Sequence, residues 1–386
     1  MWPVRLVGVA GFEPATPASR TQCSTGLSHT PTWNAAYSLH FRPPQEAELR
    51  NFIPVNLSLK TQILPAGPAA VASAAACLAA GGLVAFPTET VYGLGADATD
   101  PAAIARLYQA KGRPAFNPLI AHVGDLDAAR RIARFDAAAL ALAKAFWPGP
   151  LTLVLPKAND CAVADLATAG LDTVAVRIPA HPIAREILRA FGGPVVAPSA
   201  NLSGHVSPTT AAHVQSDLEG RIDLIVDGGA VAVGVESTIV GCLEEPMLLR
   251  PGGLPRENIE RVLGRTLKQP PADAESDSGQ PLAPGMLASH YAPRTRVRLN
   301  AERLEPGEAL LAFGPRTLPG ADRALVAMNL SPRSNLAEAA ANLFGYLRSL
   351  DAANAHAIAV MPIPDEGLGE AINDRLRRAA VGRDRA

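Results

Sequence analysis

Short apolar runs that alternate with helix-like stretches place the strongest constraint on how this chain folds. Apolar runs too short for helices span residues 83–86, 119–123, 151–155, 174–178, 194–197 and 224–227. Stretches of helical composition separate them, at 101–109, 126–146 and 183–191. This alternation predicts an α/β domain over residues 60–265, with a sheet of mixed or partly parallel pairing.

A linker and a second domain are predicted further along the chain. Residues 266–284 are rich in Pro, Ser and Asp, which is typical of a linker. The next segment, "PGMLASHYAP", carries more specific side chains than a linker needs, so residues 266–294 are predicted to include a lid over a site. Strand- and helix-like runs then predict a smaller Rossmann-like α/β domain over residues 295–386.

The first 59 residues differ from the rest of the chain. They mix Pro, Ser and Thr without helical or strand periodicity. We interpret residues 1–59 as an extension that is either disordered or not part of the native protein, and we assign no function to it.

Charge and cysteine content narrow the class of protein. The net charge of −1 gives no general attraction to nucleic acid. The four cysteines are far apart and form no C-x-x-C pair, so neither a zinc site nor a disulfide framework is indicated, which fits a reducing cytoplasm. A charge-free stretch at 61–88 has the length of a membrane helix, but its Ala/Gly composition and its prolines favour a helix at 68–80 followed by a buried strand.

The stretch "FPTETVYGLGADA", residues 86–98, permits two interpretations. The spacing Gly93-x-Gly95-x-x-Ala98 fits a loose dinucleotide-binding fingerprint. Alternatively, the hydroxyls of Thr88 and Thr90 beside glycine form a pocket for a small polar ligand. A turn at 97–101 favours the pocket, because the fingerprint requires the glycines to open a helix.

Lys111 and Arg113 follow a predicted helix on a loop stiffened by Pro114 and Pro118. Two cations on such a loop suit a polyphosphate, since Arg can form a bidentate fork and Lys a mobile point charge. The alternative is a solvated cationic helix end that interacts with the helix dipole.

Polar residues also follow later strands. Arg177 ends an apolar strand, where an unpaired charge is costly, so it has either an anionic ligand or a protein carboxylate as its partner. "APSANLSGHVSPT" and "VESTIVGC" supply hydroxyl and amide groups that suit a nucleotide or an ordinary turn, and Arg250 follows another strand. The chain contains no G-x-x-x-x-G-K-[ST] phosphate loop and no G-x-S-x-G elbow.

Seven motifs occur in an order that resembles a known family. They are "PTETVYGLG", "KGRPAFNPL", "WPGPLTLVL", "VAVRIP", "APSANLSG.VSPT", "DGG....GVESTIV" and "LLRPGG". In this order they resemble the L-threonylcarbamoyladenylate synthases with a YrdC-like catalytic domain. "PGMLASHYAP" and "EGLGEAINDRLRRAA" resemble the two-domain branch of that family. The resemblance implies a twisted mixed-sheet catalytic domain and a smaller α/β domain.

The resemblance also implies an activity. ATP, bicarbonate and L-threonine would give threonylcarbamoyl-AMP and pyrophosphate, in the cytoplasm, for the threonylcarbamoyladenosine modification of tRNA beside the anticodon. Mg²⁺ would be carried with ATP and no resident metal is expected. Partners would be downstream threonylcarbamoyl-transferase proteins, with at most a weak contact to tRNA and no membrane.

By motif match, Lys111 and Arg113 would be catalytic. The residues that would bind L-threonine are Thr90, His122, Arg177 and Ser237. The residues that would bind ATP are Lys111, Arg113, Asn117, Thr173, Ser199, Asn201, Ser207, Arg250 and, from the lid segment, Tyr291. Residues 287–289, Leu-Ala-Ser, depart from the Lys or Arg expected there in some relatives.

Other classes of function remain as alternatives. A non-enzymatic RNA-binding module would need a basic surface, for which "RLRRAAVGRDRA" is the dense basic segment. The carbamoyl-transfer chemistry of hydrogenase maturation would need accompanying zinc-finger modules, and no paired C-x-x-C exists here. A dinucleotide oxidoreductase would depend on the glycine spacing alone.

Overall fold

A mixed sheet forms the centre of the first domain in this computed structural model, which describes residues 59–113, 117–269 and 291–381. Among these residues, the strands of this sheet are β1 (Gln62–Pro65), β2 (Val84–Pro87), β3 (Tyr92–Asp97), β4 (Ile120–His122), β5 (Leu151–Pro156), β6 (Thr173–Arg177), β7 (Val195–Val196), β8 (Leu224–Asp227), β9 (Thr238–Gly241) and β10 (Met247–Arg250). Their order is β1-β8-β2-β3-β7-β4-β6-β5-β9-β10. The pairs β4–β6 and β5–β9 are parallel, whereas β5–β6 and β9–β10 are antiparallel. The prediction of a mixed sheet is confirmed.

Helices cover both faces of this sheet. They are α1 (Pro68–Ala79), α2 (Pro101–Lys111), α3 (Leu126–Ile132), α4 (Ala137–Phe146), α5 (Asp165–Thr168), α6 (Pro182–Phe191), α7 (Ala211–Leu218) and α8 (Arg256–Leu263). Helices α1 and α6 share one core cluster with Phe86 and Val195, and α2 and α4 belong to a larger cluster that includes Leu94 and Leu153. Each fully buried aliphatic side chain in these clusters contributes about 1.5–3 kcal/mol to stability.

The charge-free stretch at 61–88 is divided between β1, α1 and β2. Proline at the first position begins α1, where the missing amide hydrogen is tolerated, and the chain turns at Gly81 with a φ of 73°. Among the described residues, no helix is both long and apolar enough to cross a membrane.

The prediction of one helix over 126–146 is wrong, because two helices occupy this range. Ala133 has an extended backbone and forms an isolated antiparallel bridge with Lys157, which ends α3. The side chain of Asp136 then accepts a hydrogen bond of 2.7 Å from the amide of Ala139 and begins α4. An N-cap of this kind satisfies an amide that a new helix would otherwise leave unpaired.

The glycines of "FPTETVYGLGADA" lie within β3 and do not open a helix. Strand β3 pairs antiparallel with β2, and Gly93 is opposite Phe86. A Cβ at Gly95 would lie 2.7 Å from Cε1 of Phe86, so this glycine permits close packing against β2. The dinucleotide fingerprint is therefore excluded.

A second, parallel sheet forms the smaller domain. Its strands are β11 (Arg296–Arg298), β12 (Ala309–Ala312), β13 (Ala327–Asn329) and β14 (Ala357–Val360), in the order β11-β14-β12-β13. Helices α9 (Leu336–Ala352) and α10 (Leu368–Ala380) pack on this sheet in one core cluster with Leu311 and Ile358. The prediction of a smaller Rossmann-like domain is confirmed.

The core of the smaller domain extends into the first domain. Val91, Val206 and Val235 belong to the same cluster as α9 and α10. Each of these valines adjoins a polar residue of the first domain: Thr90, Ser207 or Glu236. The 1–59 extension lies almost wholly outside the described residues, as does most of the 266–294 segment.

Candidate functional site

A cleft opens where several strands of the first sheet end. Parallel strands β4 and β6 place His122 opposite Arg177, and antiparallel β5 places Thr152 opposite Arg177. The cleft is narrow, with a cavity volume of about 50 Å³, and it opens to solvent. The predicted site residues that line it are Thr90, Arg113, His122, Arg177, Ser199, Ser237, Arg250 and Tyr291.

Arg177 has a protein carboxylate as its partner. Its Nη2 lies 2.6 Å from Oε1 of Glu89, and the amide of Ala180 donates to Oε2 of the same carboxylate at 2.9 Å. Burial alone would raise the pKa of Glu89, but the charge and hydrogen bond of Arg177 lower it overall. Nη1 of Arg177 has no hydrogen-bond partner among the described residues, so it remains available to an anion in the cleft.

The hydroxyl of Thr90 presents an acceptor to the cleft. Thr88 donates its hydroxyl hydrogen to the carbonyl of Val91 at 2.6 Å, so in the 2.8 Å contact between the two threonine hydroxyls Thr90 must be the donor. The lone pairs of the Thr90 oxygen then stay free for a ligand hydroxyl or amine. Thr90 is fully buried against the protein, which fixes the direction of this acceptor.

Ser237 carries the second hydroxyl of this region. Its Oγ lies 2.8 Å from Oγ1 of Thr152 and 3.3 Å from Nη2 of Arg250. Arg250 also donates to the carbonyl oxygen of Ser237 from Nη2 at 2.9 Å. These bonds place a cation and a hydroxyl side by side on the cleft wall.

His122 is neutral in this environment. Burial, and then the charge of Arg177, lower its pKa to about 3. Its Nδ1 lies 3.0 Å from the carbonyl oxygen of Ile120, and because a carbonyl can only accept, Nδ1 is expected to carry the hydrogen. A neutral imidazole acts here as a hydrogen-bonding group rather than as a cation.

Lys111 lies behind the cleft and does not line it. It is 2 % exposed, and its Nζ donates to the carbonyl oxygens of Ser199 and Asn201, each at 2.5 Å. Burial, followed by the charge of Arg113, lowers its pKa well below the usual value. In this arrangement Lys111 holds the loop after β7 in place.

Arg113 does line the cleft. Its Nη2 donates to the carbonyls of Asn117 and Pro118 at 3.4 and 3.2 Å, and its buried Nε has no partner among the residues described. Burial is the main cause that lowers its pKa to about 10, so the guanidinium is still charged at neutral pH.

Four further predicted ATP residues lie outside the cleft lining. Asn117 and Asn201 are buried. Ser207 donates to Oε1 of Glu236 at 2.5 Å. Thr173 and Arg177 are the first and last residues of β6, and they lie on the same face of that strand. Nδ2 of Asn201 donates to two backbone carbonyls, which fixes the amide orientation, and its buried Oδ1 has no partner in the described structure. Oδ1 of Asn117 is likewise buried and unpaired there.

Sequence reasoning missed three charged residues of this region. Glu89 has no predicted role, although an arginine at the end of an apolar strand indicates a nearby carboxylate. Glu236 lines the cleft, and Oε2 accepts from Nε of Arg375 at 2.9 Å. Arg375 comes from α10 of the second domain, and nothing in its basic segment distinguishes it from the exposed arginines.

The described residues contain no group of three or more His, Cys, Asp or Glu that could hold a metal ion. Both oxygens of Glu89 and of Glu236 already accept hydrogen bonds.

The fold and cleft define a two-domain α/β protein with a site for a small anionic ligand. Residues 76–252 match the family model described as telomere recombination, and residues 254–381 match threonylcarbamoyl-AMP synthase, C-terminal domain. The threonylcarbamoyl-AMP synthase of Bacillus subtilis is 42% identical over 326 residues, which are 81% of this chain and 93% of the relative. The threonylcarbamoyl-AMP synthase of Pyrococcus abyssi is 44% identical over 325 residues, which are 80% of this chain and 93% of that relative.

A solved structure agrees with these relatives. The crystal structure of P. abyssi Sua5 complexed with L-threonine has a TM-score of 0.75 and 39% identity, and the match covers 84% of this chain and 97% of that one. The chain therefore belongs to the family of two-domain threonylcarbamoyl-AMP synthases, which confirms the resemblance found in its motifs.

Proposed function

We propose that the cleft forms threonylcarbamoyl-AMP and pyrophosphate from L-threonine, bicarbonate and ATP. The observation that carries this proposal is the lining of one cleft, which brings together the hydroxyl residue Thr90, the cations Arg113, Arg177 and Arg250, and Tyr291. A carboxylate, a small hydroxylated side chain and a polyphosphate each find matching groups there. The names of the relatives support the same reaction.

In the threonine half, Nη1 of Arg177 would bind the α-carboxylate and Thr90 would accept from the side-chain hydroxyl. His122 and Ser237 would complete this pocket. Valine would leave these buried polar groups unpaired, and that penalty would select against it. Glu89 would orient Arg177 without touching the ligand.

In the ATP half, Arg113 and Arg250 would neutralise phosphate charge, since both stay cationic and line the cleft. The unpaired buried Oδ1 atoms of Asn117 and Asn201 would accept from the amino group of adenine or from ribose hydroxyls. Lys111 would hold the loop that carries Ser199, while Ser207 would act through Glu236. For Thr173, the proposed contact rests on the motif match.

The chemical step would proceed in two parts. The amine of threonine and bicarbonate form N-carboxythreonine and release water. An oxygen of the new N-carboxylate group, not of the α-carboxylate, then attacks the α-phosphorus of ATP, and the bond from that phosphorus to the bridging oxygen breaks as pyrophosphate leaves with its electron pair. This step depends on alignment and charge neutralisation, which fits a cleft lined by cations and hydroxyls. Mg²⁺ bound to ATP would supply further neutralisation of phosphate charge.

The product would pass to transferase proteins that modify tRNA beside the anticodon. The chain itself would touch tRNA weakly at most, given its net charge of −1. Its described cysteines, Cys77, Cys161 and Cys242, are free thiols, which is compatible with a cytoplasmic site of action.

The direct test is to incubate the protein with ATP, bicarbonate and L-threonine and to detect the adenylate by mass. We expect its formation to require all three substrates, and L-valine to replace L-threonine poorly. ATP cleavage at a rate that does not depend on L-threonine, or the absence of any ATP cleavage, would exclude this function for the cleft.

A further inference from the structure

We propose that Arg375, on α10 of the second domain, is a positioning residue for the ATP half of the cleft. The proposal deepens the function above and rests on it, since it assigns a part of the same site. Arg375 is fully buried and does not line the cleft. It acts through residues that do line it.

Arg375 contacts the cleft wall at three points. Its Nε donates to Oε2 of Glu236 at 2.9 Å, its Nη1 donates to the carbonyl of Pro251 at 2.8 Å, and its guanidinium carbon lies 5.2 Å from the ring centroid of Tyr291. Pro251 directly follows Arg250 in sequence. One side chain thus touches Tyr291 itself and the residue next to Arg250, and both Tyr291 and Arg250 are predicted ATP-binding residues.

Tyr291 needs such support. Its φ is 62°, a left-handed backbone conformation that costs a bulky residue about 1–3 kcal/mol. The ring is stacked on Phe344 of α9 with centroids 5.5 Å apart, and Arg375 packs against it as a cation. The second domain therefore holds the ring of Tyr291 in place.

Glu236 transmits the contact to Ser207. Its Oε1 accepts the hydroxyl of Ser207 at 2.5 Å while Oε2 accepts from Arg375. Burial alone would raise the pKa of Glu236, but the charges of Arg375 and Arg250 lower it overall. The titratable groups that act on this carboxylate are Arg375, Arg250 and Tyr291, so removal of Arg375 takes away its main source of stabilisation.

Apolar packing supports the same function of the second domain. Val91, Val206 and Val235 insert into its core beside Thr90, Ser207 and Glu236. The valines fix the positions of the three loops, whereas Arg375 fixes the direction of one carboxylate and one ring. If Arg375 served only as a structural anchor, its removal would lower stability and weaken the binding of ATP and of threonine to the same extent. A positioning role predicts a selective loss of ATP binding instead.

The test compares full-length Arg375→Lys and Arg375→Gln with the control Arg377→Gln. Arg377 lies on the same helix, is 58% exposed, and bonds within its own helix to the carbonyl of Asn373. Calorimetry would measure ATP binding, and pyrophosphate release would measure KM and kcat for each substrate. We expect Arg375→Gln to weaken ATP binding at least tenfold while the KM for threonine changes less than twofold.

Arg375→Lys and Arg377→Gln should distinguish the effect of the lost charge from a general loss of folding. Arg375→Lys should recover part of the ATP affinity, and Arg377→Gln should match the parent. In Arg375→Gln the acid limb of the pH profile should move to higher pH, because Glu236 loses the partner that keeps it ionised. Unchanged ATP affinity in Arg375→Gln, or equal losses for ATP and threonine in that variant, would overturn the proposal.

If Arg375→Gln does not fold, the double variant Glu236→Gln/Arg375→Met removes both buried charges and replaces them by groups of similar size. Normal ATP binding by that variant would contradict the positioning role. ATP calorimetry needs no turnover, so a parent protein that binds ATP but makes no adenylate would fail the proposed function while still testing Arg375.

Discussion

Arg177 and Glu89 form a buried ion pair on the wall of the cleft, with 2.6 Å between Nη2 and Oε1. Their side chains are 5% and 12% exposed, so each charge depends on the other for solvation. Glu89 fixes one edge of the guanidinium and leaves Nη1 for a ligand. Because Arg177 lowers the pKa of Glu89, the stability that the pair contributes should depend on pH.

Arg177→Gln should lower the free energy of unfolding at pH 8 by about 3 kcal/mol, because a buried carboxylate loses its partner. Without Arg177, burial should raise the pKa of Glu89 above its usual value, whereas in the parent that pKa is lowered. As pH falls from 8 to 5, the variant regains stability by protonation and the parent begins to lose some. The difference should therefore shrink, as measured by denaturant unfolding at both pH values.

Glu89→Gln/Arg177→Gln is the control for that prediction. It contains neither charge, so its difference from the parent should depend much less on pH. A gap of the same size at pH 5 and pH 8 in the single variant would show that Glu89 does not cause it.

Much of the fold followed from local sequence signals. Short apolar runs predicted most strands correctly, and proline marked the start of α1. The break between α3 and α4 was not predicted, because the extended backbone of Ala133 depends on its bridge to Lys157. No local sequence pattern indicates that contact. The order of strands in the sheet likewise depends on long-range pairing.

Some residues of the candidate site could likewise be predicted from the sequence, whereas others could not. Arg177 was predicted because a charge at the end of an apolar strand needs a partner, Arg113 because its loop suits a polyphosphate, and Arg250 by motif match; all three line the cleft. Arg375 could not be recognised, since it lies about 140 residues from Glu236 in sequence and belongs to another domain. Residue type gives the chemistry of such a group, but only the packing of α10 shows which anion it meets.

Thr90→Val should impair selection of the substrate side chain. Valine keeps the shape of Thr90 but removes the acceptor that faces the cleft, so the KM for L-threonine should rise about tenfold, equivalent to about 1.4 kcal/mol. The preference for L-threonine over L-valine should fall by a similar factor in competition assays. Thr99→Val is the matched control, because Thr99 is exposed and bonds to Asp97. Unchanged selectivity in Thr90→Val would remove Thr90 from the pocket.

Lys111 and Arg113 should respond differently to removal of their charges. Lys111→Met leaves two loop carbonyls without a donor, so we expect the free energy of unfolding to fall by about 2 kcal/mol, together with weaker ATP binding. Arg113→Met breaks only longer bonds and should stay within about 0.5 kcal/mol of the parent while ATP affinity falls at least tenfold. Denaturant unfolding and calorimetry would measure both. The reverse pattern would exchange their roles.

Gly234→Ala should disturb the contact between the two domains. Gly234 has a φ of 80°, and a Cβ there would lie 2.3 Å from the carbonyl oxygen of Ala340 on α9. Gly229 has nearly the same φ, 81°, but its Cβ would meet nothing within 4 Å. Gly229→Ala should therefore show the cost of the backbone conformation alone, about 1–2 kcal/mol.

Any loss beyond that value in Gly234→Ala measures the steric conflict with α9. Because α9 carries Phe344, which stacks on Tyr291, displacement of the helix should also weaken ATP binding. Gly229→Ala should leave ATP binding unchanged. If both variants lose the same stability and bind ATP equally, α9 moves away from Gly234 at no cost, and close docking of the second domain does not support the ATP half of the cleft.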